Sequence, residues 1–307
     1  YTEGYRIGFI QGRKDITKKK TVNIRFQLGF ERMVKAAIEQ FREMGLAPVI
    51  YRSAVHSVNK KQAHRVGYYG AIPNQQFDYD HKDDAALYLD HEFVQRKLRV
   101  LQVAYEQVKE LANTHGGPAC IETFGETPFA PVAKKEACAL SAHQQKLQVS
   151  YDNEAGQIVN RYIKGEERSF TIIAYPVKEL GETFEEIFRE TVKINTLDNK
   201  LYEKIQQNII EALDKGEYVR IKGKGENQTD LRVHLHHLDN PEKQTNFENC
   251  VADVNIPVGE VFTSPVLQGT DGVLFVSKVF LNGLEYQDLK IRFQDGKIAA
   301  YSCRNFQ

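Results

Sequence analysis

A single carboxylate, Glu260, lies within a stretch whose residue types restrict the backbone. The stretch covers residues 255–265 (Asn-Ile-Pro-Val-Gly-Glu-Val-Phe-Thr-Ser-Pro), with Pro257 and Pro265 near its ends and Gly259 directly before the acid. The prolines fix φ locally, and Gly259 permits a backbone angle that other residues avoid. A rigid segment that aims one acid from a fixed backbone is typical of a metal site or a catalytic site.

The same stretch resembles the Asn-x-Pro-x-Glu/Gly-Glu-Val-Phe-Thr-x-Pro signature of the aminopeptidase T and aminopeptidase S family of dinuclear-metal leucyl aminopeptidases. Upstream, residues 229–232 (Thr-Asp-Leu-Arg) match the family's Thr-Asp-Leu-x strand. Downstream, residues 289–297 resemble the strand, Asp-Gly turn and strand that follow the glutamate. The resemblance is close over residues 211–302 and weak before them.

This resemblance implies that Glu260 is the first ligand of a centre that holds two divalent metal ions, which would be zinc, cobalt or manganese. It also implies a peptide substrate and assembly as a homodimer. The family's other ligands, a second Glu, two His and an Asp, all follow the first Glu. This chain has no His after His237 and ends 47 residues beyond Glu260. We therefore expect a piece of a longer enzyme that has no catalytic residue of its own, does not bind both metals and is inactive alone.

Several residues near Glu260 are candidates for supporting roles. Asn255, Thr263 and Ser264 are candidates for orienting the carboxylate through hydrogen bonds. His234 and His236 are weaker metal candidates: two residues apart on a strand, they point to the same face with Cα atoms about 7 Å apart. The ordinary interpretation of these histidines is packing or surface exposure, and the resemblance puts no ligand on their strand.

The order of predicted elements indicates an α/β fold. A strand at residues 21–26, a helix at 30–44 ended by Gly45 and a strand at 46–52 form a βαβ unit, which predicts a parallel or mixed sheet flanked by helices. The further predictions for this part are a loop-rich insertion over 53–80, a strand at 84–89, a helix at 90–114, a strand at 119–124, a helix at 134–162, a strand at 169–175 and a helix at 183–196.

Beyond about residue 196 the pattern changes to antiparallel strands. A helix is predicted at 199–213, followed by strands at 218–221, 230–235, 273–280, 288–293 and 298–302. The dipeptides Asn282-Gly283 and Asp295-Gly296 are typical of tight hairpins. We therefore predict an N-terminal α/β domain over residues 1–196. Residues 197–307 are predicted to form a smaller α+β segment, the incomplete start of a metallopeptidase catalytic domain.

Composition narrows the class of protein. Lys+Arg and Asp+Glu both total 41, so nothing favours binding to nucleic acid or to an anionic membrane. No apolar run approaches the roughly 20 residues that a membrane helix needs. The four cysteines are far apart, which favours reduced thiols and a cytoplasmic location. Neither a His-Glu-x-x-His pair nor a Gly-x-Ser-x-Gly elbow occurs. The alternative from another class is a non-catalytic α/β interaction or oligomerisation module.

Overall fold

The computed structural model describes residues 1–50, 68–69, 74–127, 129–251, 255–281 and 284–305. The chain divides into two compact units. Unit 1 consists of Tyr1–Glu126, Pro131–Asn195 and Ala252–Pro257, and unit 2 of Thr127–Ala130, Thr196–Val251 and Val258–Gln307. The predicted α/β fold class is confirmed, because a parallel sheet flanked by helices and a separate antiparallel sheet are present. The assignment of residues 197–307 to the start of a catalytic domain stays a prediction.

The elements are numbered in chain order. The α-helices are α1 (Thr2–Gln11), α2 (Glu31–Glu43), α3 (Gln75–Asp80), α4 (His91–Gln107), α5 (Lys109–Asn113), α6 (Ala142–Tyr162), α7 (Phe184–Asn195) and α8 (Asn199–Leu213). The strands are β1 (Thr21–Gln27), β2 (Ala47–Val49), β3 (Tyr68–Tyr69), β4 (His115–Phe124), β5 (Thr171–Pro176), β6 (Tyr218–Lys222), β7 (Asp230–His234), β8 (Glu248–Cys250), β9 (Asn255–Ile256), β10 (Glu260–Phe262), β11 (Val266–Leu281), β12 (Leu284–Gln294) and β13 (Lys297–Ser302). Short 3-10 helices span Ile16–Lys18, Asp84–Leu87, Gly165–Glu167 and Lys178–Thr183.

The sheet of unit 1 is parallel and has the strand order β2-β1-β4-β5-β9, with β3 also pairing with β1. β1 lies between β2 and β4, and residues on both of its faces are buried: Val22 and Ile24 completely, and Asn23 with 5% of its surface exposed. Burial of Asn23 is tolerated because its amide donates to Val49 O at 3.1 Å and accepts from Arg25 at 2.8 Å. The alternation of Val22, Ile24 and Phe26 with polar residues predicts a strand buried on one face, but this central strand is buried on both faces.

Helix α2 ends at the predicted glycine. Gly45 has φ 82°. Its N–H donates to Arg42 O, and the N–H of Leu46 donates to Phe41 O; these two hydrogen bonds define a Schellman cap. Phe41 and Leu46 are both buried in the main core with Tyr5 and Phe9 of α1. A second core lies between α4 and α6, around Leu98 and Ile158.

Unit 2 contains a five-stranded antiparallel sheet with the order β13-β12-β11-β7-β6. The predicted hairpin between β12 and β13 is present, with φ 47° at Asp295 and 68° at Gly296, as a type I′ turn requires. The dipeptide Asn282-Gly283 lies outside the described residues. A separate two-stranded ribbon, β8–β10, packs against α8.

Several predicted elements differ from the observed ones. Residues 84–89 form a 3-10 helix over Asp84–Leu87 instead of a strand, and the His81 ring contacts the Asp84 carboxylate at 2.8 Å beside it. The helix predicted from residue 134 begins at Ala142, because Ser141 and Gln144 form a reciprocal capping box. The helix predicted over 90–114 is divided into α4 and α5 at Val108. Most of the predicted insertion over 53–80 lies outside the described residues, and its last part is helix α3.

Among the described residues, every helix is too short or too polar to cross a lipid bilayer. All four cysteines lie in the described part of the chain, and none of them forms a disulfide.

Candidate metal-ligand segment

Residues 255–265 begin in unit 1 and continue in unit 2. Asn255 and Ile256 form β9, which pairs in parallel with Ile172 and Ile173 of β5. The peptide bond between Ile256 and Pro257 is cis. Unit 2 resumes at residue 258, and Gly259 has φ 128°, in the region that favours glycine. Gly259 was expected to permit a backbone angle that other residues avoid, and it adopts one directly before Glu260.

Glu260 is the first residue of β10 and lies on one strand of the antiparallel β8–β10 ribbon. It pairs with Cys250, and Phe262 pairs with Glu248. Because side chains alternate along a strand, Glu260, Phe262 and Glu248 share one face of the ribbon, and Val261 lies on the other. Glu260, Phe262 and Glu248 are exposed, whereas Val261 packs against the buried cluster around Ile210 of α8. Glu260 therefore lies on the face that Phe262 and Glu248 expose, at the end where its cross-strand partner Cys250 is fully buried.

Gln206 of α8 anchors the backbone of Glu260. Its side chain has an exposed fraction of only 2%. Its Nε2 lies 2.8 Å from each of Glu260 O, Cys250 O and Asn249 Oδ1, and its two N–H groups are shared among these three acceptors. The two backbone carbonyls fix the amide orientation, since the opposite orientation would point Oε1 at two other acceptors. Asn249 makes a second hydrogen bond between β8 and α8, donating from Nδ2 to Glu203 O at 2.9 Å.

Asn246 connects three parts of unit 2. Its Nδ2 donates to His236 O at 2.9 Å, and its Oδ1 accepts from the backbone N–H of His236 at 3.1 Å. Its own N–H donates to Asp214 Oδ1, just after α8. Its carbonyl accepts the hydroxyl of Thr263. Thr263 thus ties the end of β10 to residue 246, and its role in orienting Glu260 stays a prediction.

A surface cleft of about 540 Å³ lies beside the ribbon. Phe262, Ser264, Glu248 and His236 are among its lining residues. Ser264 is exposed there, and its predicted hydrogen bond to Glu260 stays a prediction. Asn255 lies in the parallel sheet of unit 1, and its predicted supporting role likewise stays a prediction.

The two candidate histidines lie in different local structures. β7 ends at His234, whose ring stacks on Tyr218 with centroids 6.1 Å apart and whose N–H donates to Thr270. His236 follows the end of the strand and is held through its backbone by Asn246. The premise that both lie on one strand is wrong, because pairing with β6 and β11 stops at His234.

The Thr-Asp-Leu stretch that begins at Thr229 has a framework role. The Thr229 hydroxyl donates to Phe275 O at 3.1 Å and accepts from Phe275 N at 3.0 Å, which joins it to β11. Arg220 donates to both carboxylate oxygens of Asp230 at 2.8 Å, and these bonds lower the pKa of Asp230. Thr229 thus stabilises the pairing with β11, and Asp230 the pairing of β7 with β6.

The donor chemistry fits one metal ligand. Glu260 offers an exposed carboxylate, a hard oxygen donor that suits manganese, cobalt or zinc. Within the described ranges, no group of three or more His, Cys, Asp and Glu side chains is close enough to hold a metal ion. Glu260 therefore fits one ligand position of a metal centre, and the described residues do not form a complete centre.

Sequence reasoning did not identify Gln206, Asn246 or Asn249. One signal was available for Gln206: it lies at helical spacing between Tyr202 and Ile210, in a stripe that faces the ribbon. A polar residue within such a stripe is a candidate buried anchor. The partners of Asn246 and Asn249 are distant in sequence and leave no local pattern.

Comparison with known proteins identifies one family. Residues 136–306, more than half of the chain, match the family model described as thermophilic metalloprotease (M29). A search of curated proteins finds no match. Among solved structures, wild-type AmpT from Thermus thermophilus is similar, with 14% sequence identity and a TM-score of 0.45 over 97% of this chain and 72% of that chain.

Proposed function

Because the chain belongs to the thermophilic metalloprotease (M29) family, we propose that it is part of a metal-dependent aminopeptidase that removes N-terminal residues from peptides. The observation that carries this proposal is the position of Glu260. It is exposed at the start of β10, directly after a glycine with φ 128°, at the place where the family signature has its first metal ligand.

Glu260 would hold one of two divalent ions, which we propose to be zinc, cobalt or manganese. When bound, such ions polarise the scissile carbonyl and make water acidic enough to react near neutral pH. The chain's own contribution is to aim a carboxylate from a fixed backbone. Gln206 and Gly259 fix that backbone, and Val261 anchors it in the core of unit 2.

We propose that these 307 residues alone hydrolyse no peptide. A single carboxylate cannot hold two metals, and the described residues bring no three donor side chains together. Hydrolysis of leucyl-p-nitroanilide with added cobalt or zinc measures this directly. Turnover by the 307 residues that is abolished by Glu260→Ala would contradict the proposal.

The role of Glu260 is tested in the natural full-length protein. Glu260→Gln removes the charge and keeps the shape, so we expect it to remove at least one bound metal and nearly all peptidase activity. Glu248→Gln is the matched control, because Glu248 lies exposed on the same face of the same ribbon. Metal content and hydrolysis of leucyl-p-nitroanilide are measured for both variants. Unchanged metal content in Glu260→Gln would overturn the proposal and favour the non-catalytic interaction or oligomerisation module.

Two finer proposals follow from the same family assignment: the partner is a peptide, and the protein forms a homodimer. A third, a cytoplasmic location, rests on the four widely spaced cysteines. Light scattering of the purified protein measures the dimer, and cell fractionation measures the location. A monomer at micromolar concentration would refute the assembly without affecting the role of Glu260.

A further inference from the structure

We propose that Gln206 is a positioning residue for Glu260: its buried amide fixes the backbone from which the metal-binding carboxylate projects. This inference rests on the proposed function of Glu260. Gln206 touches neither substrate nor metal in the proposal, and it acts only through the β8–β10 ribbon.

The carbonyls of Glu260 and Cys250 belong to residues that face each other across the ribbon, and Nε2 of Gln206 donates to both at 2.8 Å. One amide thus spans the two strands at the residue pair that contains the proposed ligand. A shift of either strand along its axis, or away from α8, breaks at least one of these bonds.

The neighbours of Gln206 on α8 also lie near the segment. Tyr202, one turn before Gln206, lies against Gly259, and Ile210, one turn after it, belongs to the buried cluster against which Val261 packs. The same helix face therefore lies along three consecutive residues of the segment. The hydrogen bond from Gln206 is made to the middle one, Glu260.

One polar atom of Gln206 is left over by this arrangement. Within the described part of the chain, Oε1 of Gln206 is buried and has no hydrogen-bond partner. A buried acceptor without a partner destabilises a fold. The Nε2 of the same amide donates to the carbonyls of Cys250 and Glu260, and an apolar side chain at this position would leave both without that donor. The position is therefore kept polar by its contacts to the ribbon, although one end of the amide is unsatisfied.

The neutral charge of the donor also fits the proposal. A lysine or arginine in this place would donate to the same carbonyls, but it would put a positive charge beside a cation-binding carboxylate. Repulsion between like charges is strong in a buried environment. An amide supplies the hydrogen bonds without opposing the metal.

The experiment compares three variants of the natural full-length protein purified without metal. Gln206→Met keeps the length of the side chain and removes the donor. Ile210→Ala is the matched control: it lies on the same helix face, is equally buried at 2% exposed and does not contact the Glu260 carbonyl. Glu260→Gln removes the proposed ligand. Cobalt binding by calorimetry, the visible cobalt spectrum and the melting temperature are recorded for each protein.

We expect Gln206→Met to weaken cobalt binding by about 10–100-fold and to change the cobalt spectrum, as loss of a supporting contact to a metal ligand does. Its melting temperature should fall by about 2–12 °C, because the carbonyls of Cys250 and Glu260 lose this donor. Ile210→Ala should lower the melting temperature by about 4–20 °C but change cobalt affinity less than about threefold, so the loss of affinity and not the loss of stability distinguishes the two variants.

The outcomes separate the two proposals. If Glu260→Gln weakens cobalt binding while Gln206→Met binds cobalt like the wild type, the positioning role is wrong and the proposed function stands. If Glu260→Gln binds cobalt like the wild type, the proposed function is wrong. Equal loss of affinity in Gln206→Met and Ile210→Ala would reduce Gln206 to a structural role. Should Gln206→Met not fold, Gln206→Asn serves instead, because its shorter amide cannot reach all three acceptors.

Discussion

Replacing Gly259 with alanine tests how strongly the backbone holds the proposed ligand. Gly259 has φ 128°, and a non-glycine residue in such a sparsely populated region costs on the order of 1–3 kcal/mol. The added Cβ would lie 3.8 Å from Tyr202 Cε1 and 3.9 Å from Cδ1, which is ordinary van der Waals contact. The cost therefore comes from the backbone angle and not from a clash.

The assay is thermal unfolding of the purified protein. Since 1 kcal/mol corresponds to roughly 2–4 °C for chains of 150–250 residues, Gly259→Ala should lower the melting temperature by about 2–12 °C. Gly156→Ala is the control for adding a methyl group. Gly156 lies within α6, and a Cβ there would meet nothing within 4 Å. Alanine should stabilise that helix by about 0.5–1 kcal/mol.

A double variant separates the backbone cost from side-chain contact. If the backbone angle is responsible, Tyr202→Ala restores nothing, and the two changes add within about 0.5 kcal/mol. Full recovery of stability in the double variant would show that Tyr202 repels the new methyl group. An unchanged melting temperature in Gly259→Ala alone would refute the reasoning that glycine is required there.

Two further predictions concern other parts of the chain. Burial, and to a smaller extent the nearby charge of Arg168, lowers the pKa of His115 below 6.5. As the pH falls, His115 is therefore protonated in the unfolded chain at a higher pH than in the folded one. The free energy of unfolding should decrease as the pH drops below about 6.5. His115→Gln should flatten this dependence of the melting temperature, and an unchanged dependence in that variant would contradict the prediction. Gly272→Ala should destabilise unit 2 by several kcal/mol, because its Cβ would lie 2.2 Å from Asp230 O. Urea unfolding measures this loss, and a midpoint equal to that of the wild type would contradict the observed β7–β11 pairing.

The parts of the fold that depend on local signals were predictable. α2 and its Gly45 cap follow from apolar spacing and a glycine, and α8 was placed at its observed bounds. Ser141 and Gln144 carried a capping signal that the apolar pattern around residue 134 obscured. Burial of Asn23 was not predictable, because it depends on both neighbouring strands and on Val49.

In the candidate segment, too, local features were predictable and long-range contacts were not. Gly259 and Glu260 could be identified from their order in the chain, since a permissive residue before an acid is a local feature. β9 is only two residues long, and its pairing with β5 involves residues about 80 positions away, which no local period reveals. The contact from Gln206 to Glu260 spans 54 positions and had only the helical stripe as a signal.

The pairing of β9 with β5 has a consequence for synthesis on the ribosome. β5 emerges early, but the strand that completes the parallel sheet follows only about 80 residues later. At about 5–20 residues per second, the open edge of β5 waits roughly 4–16 s for its neighbour. During that time Ile172 and Ile173 present unpaired backbone groups, the kind of edge that recruits foreign strands. A nascent chain of this protein is therefore expected to be most vulnerable to aggregation, and most in need of a chaperone, while residues 177–255 are being made.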